Sequence, residues 1–481
     1  MTSYPDKSTA NWVLGLASGT GVLVALDTLI VSTALTTIRR QLGASVADLE
    51  WTVNAYVLSF AVLLMTGAAL GDRFGRKRMF ASGLALFAVA SAACALSDSA
   101  GWLIAARALQ GAGAALMSPL ALALLSAAFP PQARAKALGI FGGVVAFGIV
   151  LGPLVGGAVV EGISWRYAFW INVPIGLALM VLAIRRVPES RGPDPSIDLP
   201  GLALVTGAVF GIVWALVRGN SVGWGSPEVV VSLAAGVLLA GAFVGWELRV
   251  SKPMLPIRLF RARPFASGNT SGFFFWGAVL ASVFFLAQFL QTGEGNGPLG
   301  AGLRLMPWGA AMFFVAPVAG SRIRRFGERP FIVAGLFIQA VSLACLGLIA
   351  KPDLPYGEFV VPLVLLGFGA ALCLPGTQSA VMSHVAPQNI GKASGTFITL
   401  RQLGGALGVA VSVAIFSVAG SYASPQAFSD GFGAAMGVAA GLAFAGAIAG
   451  LFAPSGRTQP ALAQPGPTPK QAESPTPSEK A

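Results

Sequence analysis

Fourteen apolar stretches follow one another along this chain of 481 residues, with only short polar breaks between them. They run over 13–35, 51–70, 79–97, 101–126, 136–160, 166–184, 199–217, 228–246, 266–290, 299–320, 331–350, 359–383, 393–418 and 432–453. A helix needs roughly 20 apolar residues to cross a bilayer. Backbone polar groups find no water inside hydrocarbon, so only helices and closed barrels span it. Short alternating segments of the barrel type are missing here, which leaves helices. The composition agrees, with 55% hydrophobic and 10% charged residues. A soluble globule carries about one-quarter charged residues. An ordinary soluble enzyme is therefore excluded, and the expected fold is an all-α membrane protein with 14 transmembrane helices in a lipid bilayer.

The net charge of +12 arises from 31 Lys and Arg against 19 Asp and Glu. A soluble chain with such an excess would suggest nucleic acid. Here the basic residues sit in short loops, so topology accounts for them and no nucleic-acid partner is expected. Arg73, Arg76, Lys77 and Arg78 follow the second stretch; Arg185, Arg186 and Arg191 follow the sixth; Arg322, Arg324, Arg325 and Arg329 follow the tenth. Cytoplasmic loops carry the Lys and Arg excess. These loops, and with an even span count both termini, are expected in the cytoplasm. Arg39 and Arg40 are a local exception. Residues 1–12 read as a cytoplasmic N-terminus with no cleaved signal. Residues 454–481, rich in Pro, Ser, Gln and Ala, read as a disordered cytoplasmic tail.

His384 stands alone, and Cys94, Cys345 and Cys373 lie within apolar runs. No metal site or disulfide framework is expected. Gly391-Lys392 is followed by Ala393, so the phosphate-binding loop of an ATP-driven pump is missing. Asp72-Arg73-Phe74-Gly75-Arg76-Lys77 after the second stretch is echoed by Arg324-Arg325-Phe326-Gly327-Glu328-Arg329 after the tenth. The repeat divides the chain into two six-helix halves, 13–186 and 261–453, around an inserted pair at 187–260.

Asp27 is a carboxylate deep inside an apolar helix. Such a group is costly unless it faces a cavity or a partner, and it usually marks an ion pathway. Loss of water favours a protonated carboxyl, which suits a proton carrier. The alternative is a polar packing residue bonded to a neighbouring helix. Asp27 lies 14 residues beyond Val13, roughly 21 Å up the helix. Arg107 lies six residues beyond Gly101 on a descending span, roughly 9 Å down from the other side. Across a core of about 30 Å the depths match. An ion pair is permitted, with a snorkelling arginine as the alternative.

The chain resembles the fourteen-span drug:proton antiporters of the major facilitator superfamily over residues 10–453. Four stretches carry the resemblance. They are Leu26-Asp27-Thr28-Leu29-Ile30-Val31-Ser32-Thr33-Ala34-Leu35, the Gly71–Arg78 loop, Arg107-Ala108-Leu109-Gln110-Gly111-Ala112-Gly113, and Gly148-Ile149-Val150-Leu151-Gly152-Pro153-Leu154-Val155-Gly156-Gly157 with the following Ile171-Asn172-Val173-Pro174. Leu29, Ser32, Thr36 and Ala68 depart from residues common at those places.

The resemblance implies a plasma-membrane exporter of amphipathic small-molecule drugs, acting as a monomer. It would be powered by the proton gradient, with no cofactor, and coupled at Asp27 and Arg107. Abundant glycine and arginine hint at a GC-rich source, hence self-resistance in an antibiotic producer. The alternatives are a proton-coupled transporter of a normal metabolite and a non-transporting membrane scaffold.

Gly148, Gly152 and Gly156 recur on one helix face and allow close helix approach. Pro153 removes one backbone bond. By resemblance this face, with Gly157, controls conformation and seals the inner side of a cavity. Asp72, Arg73, Gly75 and Arg76 would form a gate in which Asp72 meets the start of the thirteenth span near Lys392. Topological positive charge accounts equally for its basic members. Asn54 and Gln110 are candidates for lining polar space. In the ninth span Phe275, Trp276 and Gln288 are candidates for drug contact, although packing against lipid suits its aromatic residues equally well. Arg401 is a further charge in the thirteenth span, with no partner evident from sequence.

Overall fold

The computed structural model describes residues 6–191, 198–250, 253, 255, 257–382, 385 and 390–454. His384 and the tail beyond Pro454 lie outside the described residues, as do residues 1–5. Among the described residues there are fifteen α-helices and no strand. The first seven are α1 (Lys7–Leu42), α2 (Val46–Phe74), α3 (Arg76–Ala95), α4 (Ala100–Ala128), α5 (Pro131–Gly162), the single turn α6 (Tyr167–Trp170) and α7 (Asn172–Arg186). Then come α8 (Leu199–Val222) and α9 (Pro227–Glu247). The last six are α10 (Arg263–Gln288), α11 (Pro298–Phe326), α12 (Arg329–Ile349), α13 (Tyr356–Met382), α14 (Ile390–Ala419) and α15 (Pro425–Leu451).

Thirteen helical segments are long and apolar enough to cross a membrane, counting α6 and α7 as one. The fifth expected stretch lies in α5, helical over 32 residues, where the apolar run found is the shorter Leu151–Gly162. The first helix is longer than its apolar stretch at both ends. Asp6 caps it, its carboxylate accepting from Thr9 N–H at 3.1 Å, and these bonds hold the Asp6 carboxyl below the usual range. Gly43, at φ 62°, ends it. The left-handed conformation there suits glycine. Two residues after Gly43, Ser45 closes a capping box with Asp48 that starts α2.

Helices surrounded by hydrocarbon gain little from hiding apolar surface, so close packing through small residues holds them together. Helices α1–α5 and α7 pack among themselves, and so do α10–α15. The two groups meet along α5 with α11 and along α2 with α14. Helices α8 and α9 pair with each other, and α8 rests on both α2 and α14. Within the second group α10 and α14 approach closely at Phe273 and Gly404 and again at Gly277 and Gly408. A Cβ added at Gly408 would lie 2.1 Å from the Gly277 carbonyl oxygen. That contact sets Trp276 of α10 beside Arg401 of α14.

Contacts sort the helix ends into two sides. Arg186 at the end of α7 lies over Trp12 near the start of α1, and Gly75 meets Glu189 after α7. This near side carries the first described residues. Gln291, just past α10, meets Thr33 and Thr36 close to the end of α1 on the far side.

Candidate functional site

Asp27 is completely buried, and its two carboxylate oxygens are both engaged. Oδ2 accepts from Nη1 of Arg107 at 2.6 Å. Oδ1 accepts from Nε2 of Gln110 at 2.7 Å and from Nδ2 of Asn172 at 2.8 Å. Helices α1, α4 and α7 thus converge on one carboxylate. Arg107 Nη1 also donates to Oε1 of Gln110 at 2.6 Å, and its Nε donates to the Thr52 carbonyl at 3.2 Å. Gln110 Nε2 reaches Ser91 Oγ at 2.8 Å. The Arg107 guanidinium stacks 4.3 Å from the Tyr56 ring centre. Matching depth on the two helices thus becomes a real ion pair, walled from solvent by aromatic rings.

A buried ion pair survives only when its remaining lone pairs and protons are bonded as well. Gln110 and Asn172 meet that requirement for the carboxylate, and Thr52 helps meet it for Arg107. Protonating Asp27 removes one charge and leaves the guanidinium uncompensated. The cluster is therefore a place where one proton changes a large local electrostatic energy. Ser91, Thr52 and Tyr56 were not singled out from sequence, and Asn172 appeared there only within a motif. The available signal was the same for each: a polar group inside an apolar helix.

The other candidates divide. Gln110 belongs to the Asp27 network rather than to open polar space. Asn54 is buried, and neither carboxamide atom has a hydrogen-bond partner among the described residues. Phe275 is buried in the core, edge-on to Trp276. Gln288 donates to the Phe284 carbonyl at 2.6 Å and accepts from Tyr422 Oη at 2.5 Å, so it braces the fold. In the ninth stretch Phe273, Phe274 and Trp276 are partly buried and the other rings lie inside. Phe284, Phe285 and Phe289 are buried, Phe285 stacking on Phe416 and Phe289 on Phe432. Arg401 gains a partner in Trp276, its guanidinium 4.5 Å from the ring centre.

On the near side, Asp72 is held by Arg76 at 2.8 Å. Gly75 adopts φ 110°, and a Cβ there would strike the Glu189 carboxylate at 2.7 Å. Glu189 accepts from the Lys77 N–H at 2.9 Å, and Arg76 N–H donates to the Ser190 carbonyl at 2.8 Å. The loop is thus clasped by the segment after α7. The Arg73 guanidinium lies over Phe74. The side chain of Lys392 lies outside the described residues.

The glycine face of α5 packs against helices of both groups. Gly148 and Gly152 pack on Val22 and Leu29 of α1, and Gly156 on Ile30 and Thr33. Gly157 abuts the Pro298 carbonyl of α11, and the Pro153 carbonyl abuts Gly302. Helix α5 runs on through Pro153. This packing lies on the far side where Gly156 and Gly157 occupy the later turns of α5. Glu161 strengthens it by accepting from Leu299 N–H at 2.8 Å. Gln291 bonds to Thr36 and donates to the Thr33 carbonyl at 3.1 Å. Arg39, the topological exception, caps this side with its guanidinium 3.9 Å from the Tyr422 ring centre.

The sequence profile of the Major Facilitator Superfamily matches residues 17–409. The chain belongs to the Major Facilitator Superfamily. Superfamily relatives with similar sequences include the tetracenomycin C resistance and export protein of Streptomyces glaucescens. It is 38% identical over 82% of this chain and 74% of its own length. The methylenomycin A resistance protein of Streptomyces coelicolor is 35% identical over 82% and 83%. The multidrug resistance protein Stp of Mycobacterium tuberculosis is 36% identical over 82% and 73%. Solved superfamily structures share the fold. A peptide transporter POT in complex with sulfate matches with a TM-score of 0.67, 16% identity, and coverage of 91% of this chain and 93% of its own. The xylose transporter XylE from E. coli, in a partially occluded inward open conformation, matches at 0.63 and 16%, over 92% and 97%. The molecule is a multi-pass membrane transporter of this superfamily, not an enzyme.

Proposed function

We propose that this transporter exports antibiotics or other amphipathic drugs across the plasma membrane in exchange for protons. The observation that carries the reading is the buried Asp27–Arg107 pair with its Gln110 and Asn172 bonds. The resistance and export proteins it resembles support the drug cargo, and self-resistance in an antibiotic producer belongs to the same reading. No cofactor is required, the proton gradient supplies the energy, and one chain suffices.

In this reading fourteen spans cross the bilayer. Two six-helix halves, 13–186 and 261–453, flank the inserted pair in 187–260, with both termini cytoplasmic. The near side then faces the cytoplasm, and the far-side contacts of α5, α11, Gln291 and Arg39 close the exit. The drug enters from the cytoplasm or inner leaflet. A proton reaching Asp27 breaks its pairing with Arg107. Leaving one buried charge unpaired costs about 3–5 kcal/mol. Inverting a 1:99 population of two states needs about 5.5 kcal/mol. The proton therefore supplies most of the bias needed, and differential drug affinity supplies the rest. Exchange follows when drug and proton favour opposite charge states of the site.

The test is uptake of an antibiotic and dye panel into inside-out vesicles, comparing wild type with Asp27→Asn. Gradient-dependent uptake that the substitution abolishes supports the reading. Equal gradient-driven uptake in both removes Asp27 from coupling.

A further inference from the structure

Away from the Asp27 network, the interface of α2, α10 and α14 holds a second charged centre. Arg401 makes no hydrogen bond or ion pair among the described residues, and its buried Nε has no partner. It rests on the Trp276 ring, and a cation–π contact offsets only part of the cost of taking a guanidinium out of water. Trp276 Nε1 is also buried without an acceptor. The Tyr56 hydroxyl lies beside the Thr28 hydroxyl, which donates to the Val24 carbonyl at 3.0 Å and keeps lone pairs for the Tyr56 proton. Tyr56 interacts electrostatically with Arg401 on one side and with Arg107 and Asp27 on the other.

Guanidinium and indole N–H groups can only donate, and the Tyr56 hydroxyl has its own proton to give. A cation and two unanswered donors form a set that lacks an acceptor and a negative charge. Arg401 lies 11 residues into α14 and Trp276 13 residues into α10, roughly 17–20 Å from their near-side starts. That is mid-membrane depth, far from lipid headgroups. The adjacent indole face and the partly buried Phe273 suit an aromatic body.

We propose that Arg401, Trp276 and Tyr56 form the site for the acidic group of an aromatic cargo, a carboxylate or an ionised phenol. This deepens the exporter reading and rests on it. Arg401 binds the anion, Trp276 and Tyr56 donate to it, and the cargo's ring system extends along Trp276. Tyr56 also carries the Arg107 contact, so the two charged centres adjoin.

The experiment compares three tricyclic probes of similar size: anthracene-9-carboxylate, its neutral carboxamide, and the cation proflavine. Gradient-driven transport is followed in proteoliposomes of phosphatidylcholine, with and without phosphatidylglycerol, alongside the antibiotic panel. Wild type is expected to move the carboxylate in both lipids. Arg401→Gln is expected to weaken carboxylate transport at least tenfold while changing the carboxamide less than twofold. Arg401→Lys keeps the charge without the flat stack and is expected to weaken the carboxylate several-fold; if Arg401→Gln does not assemble, this variant decides. Equal loss of carboxylate and carboxamide in the deciding variant makes the arginine structural and overturns the proposal. So does a carboxylate signal that the substitution leaves unchanged, or one that phosphatidylglycerol abolishes. Transport of proflavine and carboxamide without carboxylate overturns this inference while the exporter reading stands. No transport of any probe or antibiotic overturns both.

Discussion

Asn172 donates to the oxygen of Asp27 that Arg107 leaves free, 2.8 Å away. It is the first residue of α7, and from there its buried side chain reaches α1. A hydrogen bond to a charged group contributes about 1.5–3 kcal/mol. Asn172→Leu removes it without touching Arg107. Gradient-driven drug uptake is expected to fall tenfold or more while the protein still elutes as a single species in detergent. Undiminished uptake would show that two donors suffice.

The Arg107 pair predicts a specific pattern of stabilities. Arg107→Gln leaves the Asp27 carboxylate unpaired and should cost about 3–5 kcal/mol. The double variant Asp27→Asn with Arg107→Gln removes both charges and should recover most of that loss. Neither variant should couple transport to protons. Thermal unfolding in detergent reads the first claim and vesicle uptake the second. Additive losses in the double variant would contradict a pairwise interaction.

Closure of the far side depends on the contact between Gly157 and Pro298. A Cβ at Gly157 would stand 2.4 Å from the Pro298 carbonyl oxygen, and the backbone there has no flexible end to yield. Gly157→Ala is expected to part α5 from α11 and favour the far-side-open state. Spin labels at Ile163 and Leu303 should report a longer mean distance than in the parent. An unchanged distance would place the closing contacts elsewhere, at Glu161 or Gln291.

Charge balance supplies a further check on an acidic cargo. Exporting one anion against one incoming proton moves two positive charges inward. Each charge gains about 2.3 kcal/mol per 100 mV of membrane potential. Collapsing the potential alone, with the pH gradient kept, should therefore slow export of anthracene-9-carboxylate. Cation export at the same ratio is electroneutral and should not respond. Equal insensitivity of both would argue against the acidic-cargo site or against one-for-one exchange.

Much of this molecule is legible in its sequence. Hydropathy alone marks the helices, since hydrocarbon tolerates no unsatisfied backbone and each crossing needs a run of apolar residues. Asp27 and Arg107 stand out for the same reason, as charges where charges are expensive, and helix rise alone puts them at one depth. Burial and bonding partners are another matter. The aromatic residues of α10 look alike in sequence whether they face lipid or core, because both surroundings are apolar. Only packing turned Phe284, Phe285 and Phe289 inward.

Position along a helix also could not say which side of the bundle the glycines of α5 close. That depends on where α11, from the other group of helices, comes to lie. Gln291, Glu161 and Tyr422 passed unnoticed because polar residues near helix ends are common and carry no burial signal. Arg401 shows the division most clearly. Its sequence declares a charge inside the membrane. The approach of α10 to α14 at Gly277 and Gly408 supplies an indole instead of a carboxylate. Sequence determined which residues are too polar for their surroundings, a property of each residue in its own helix. Tertiary structure decided what answers them, because partners 80 or more residues apart meet only when helices pack.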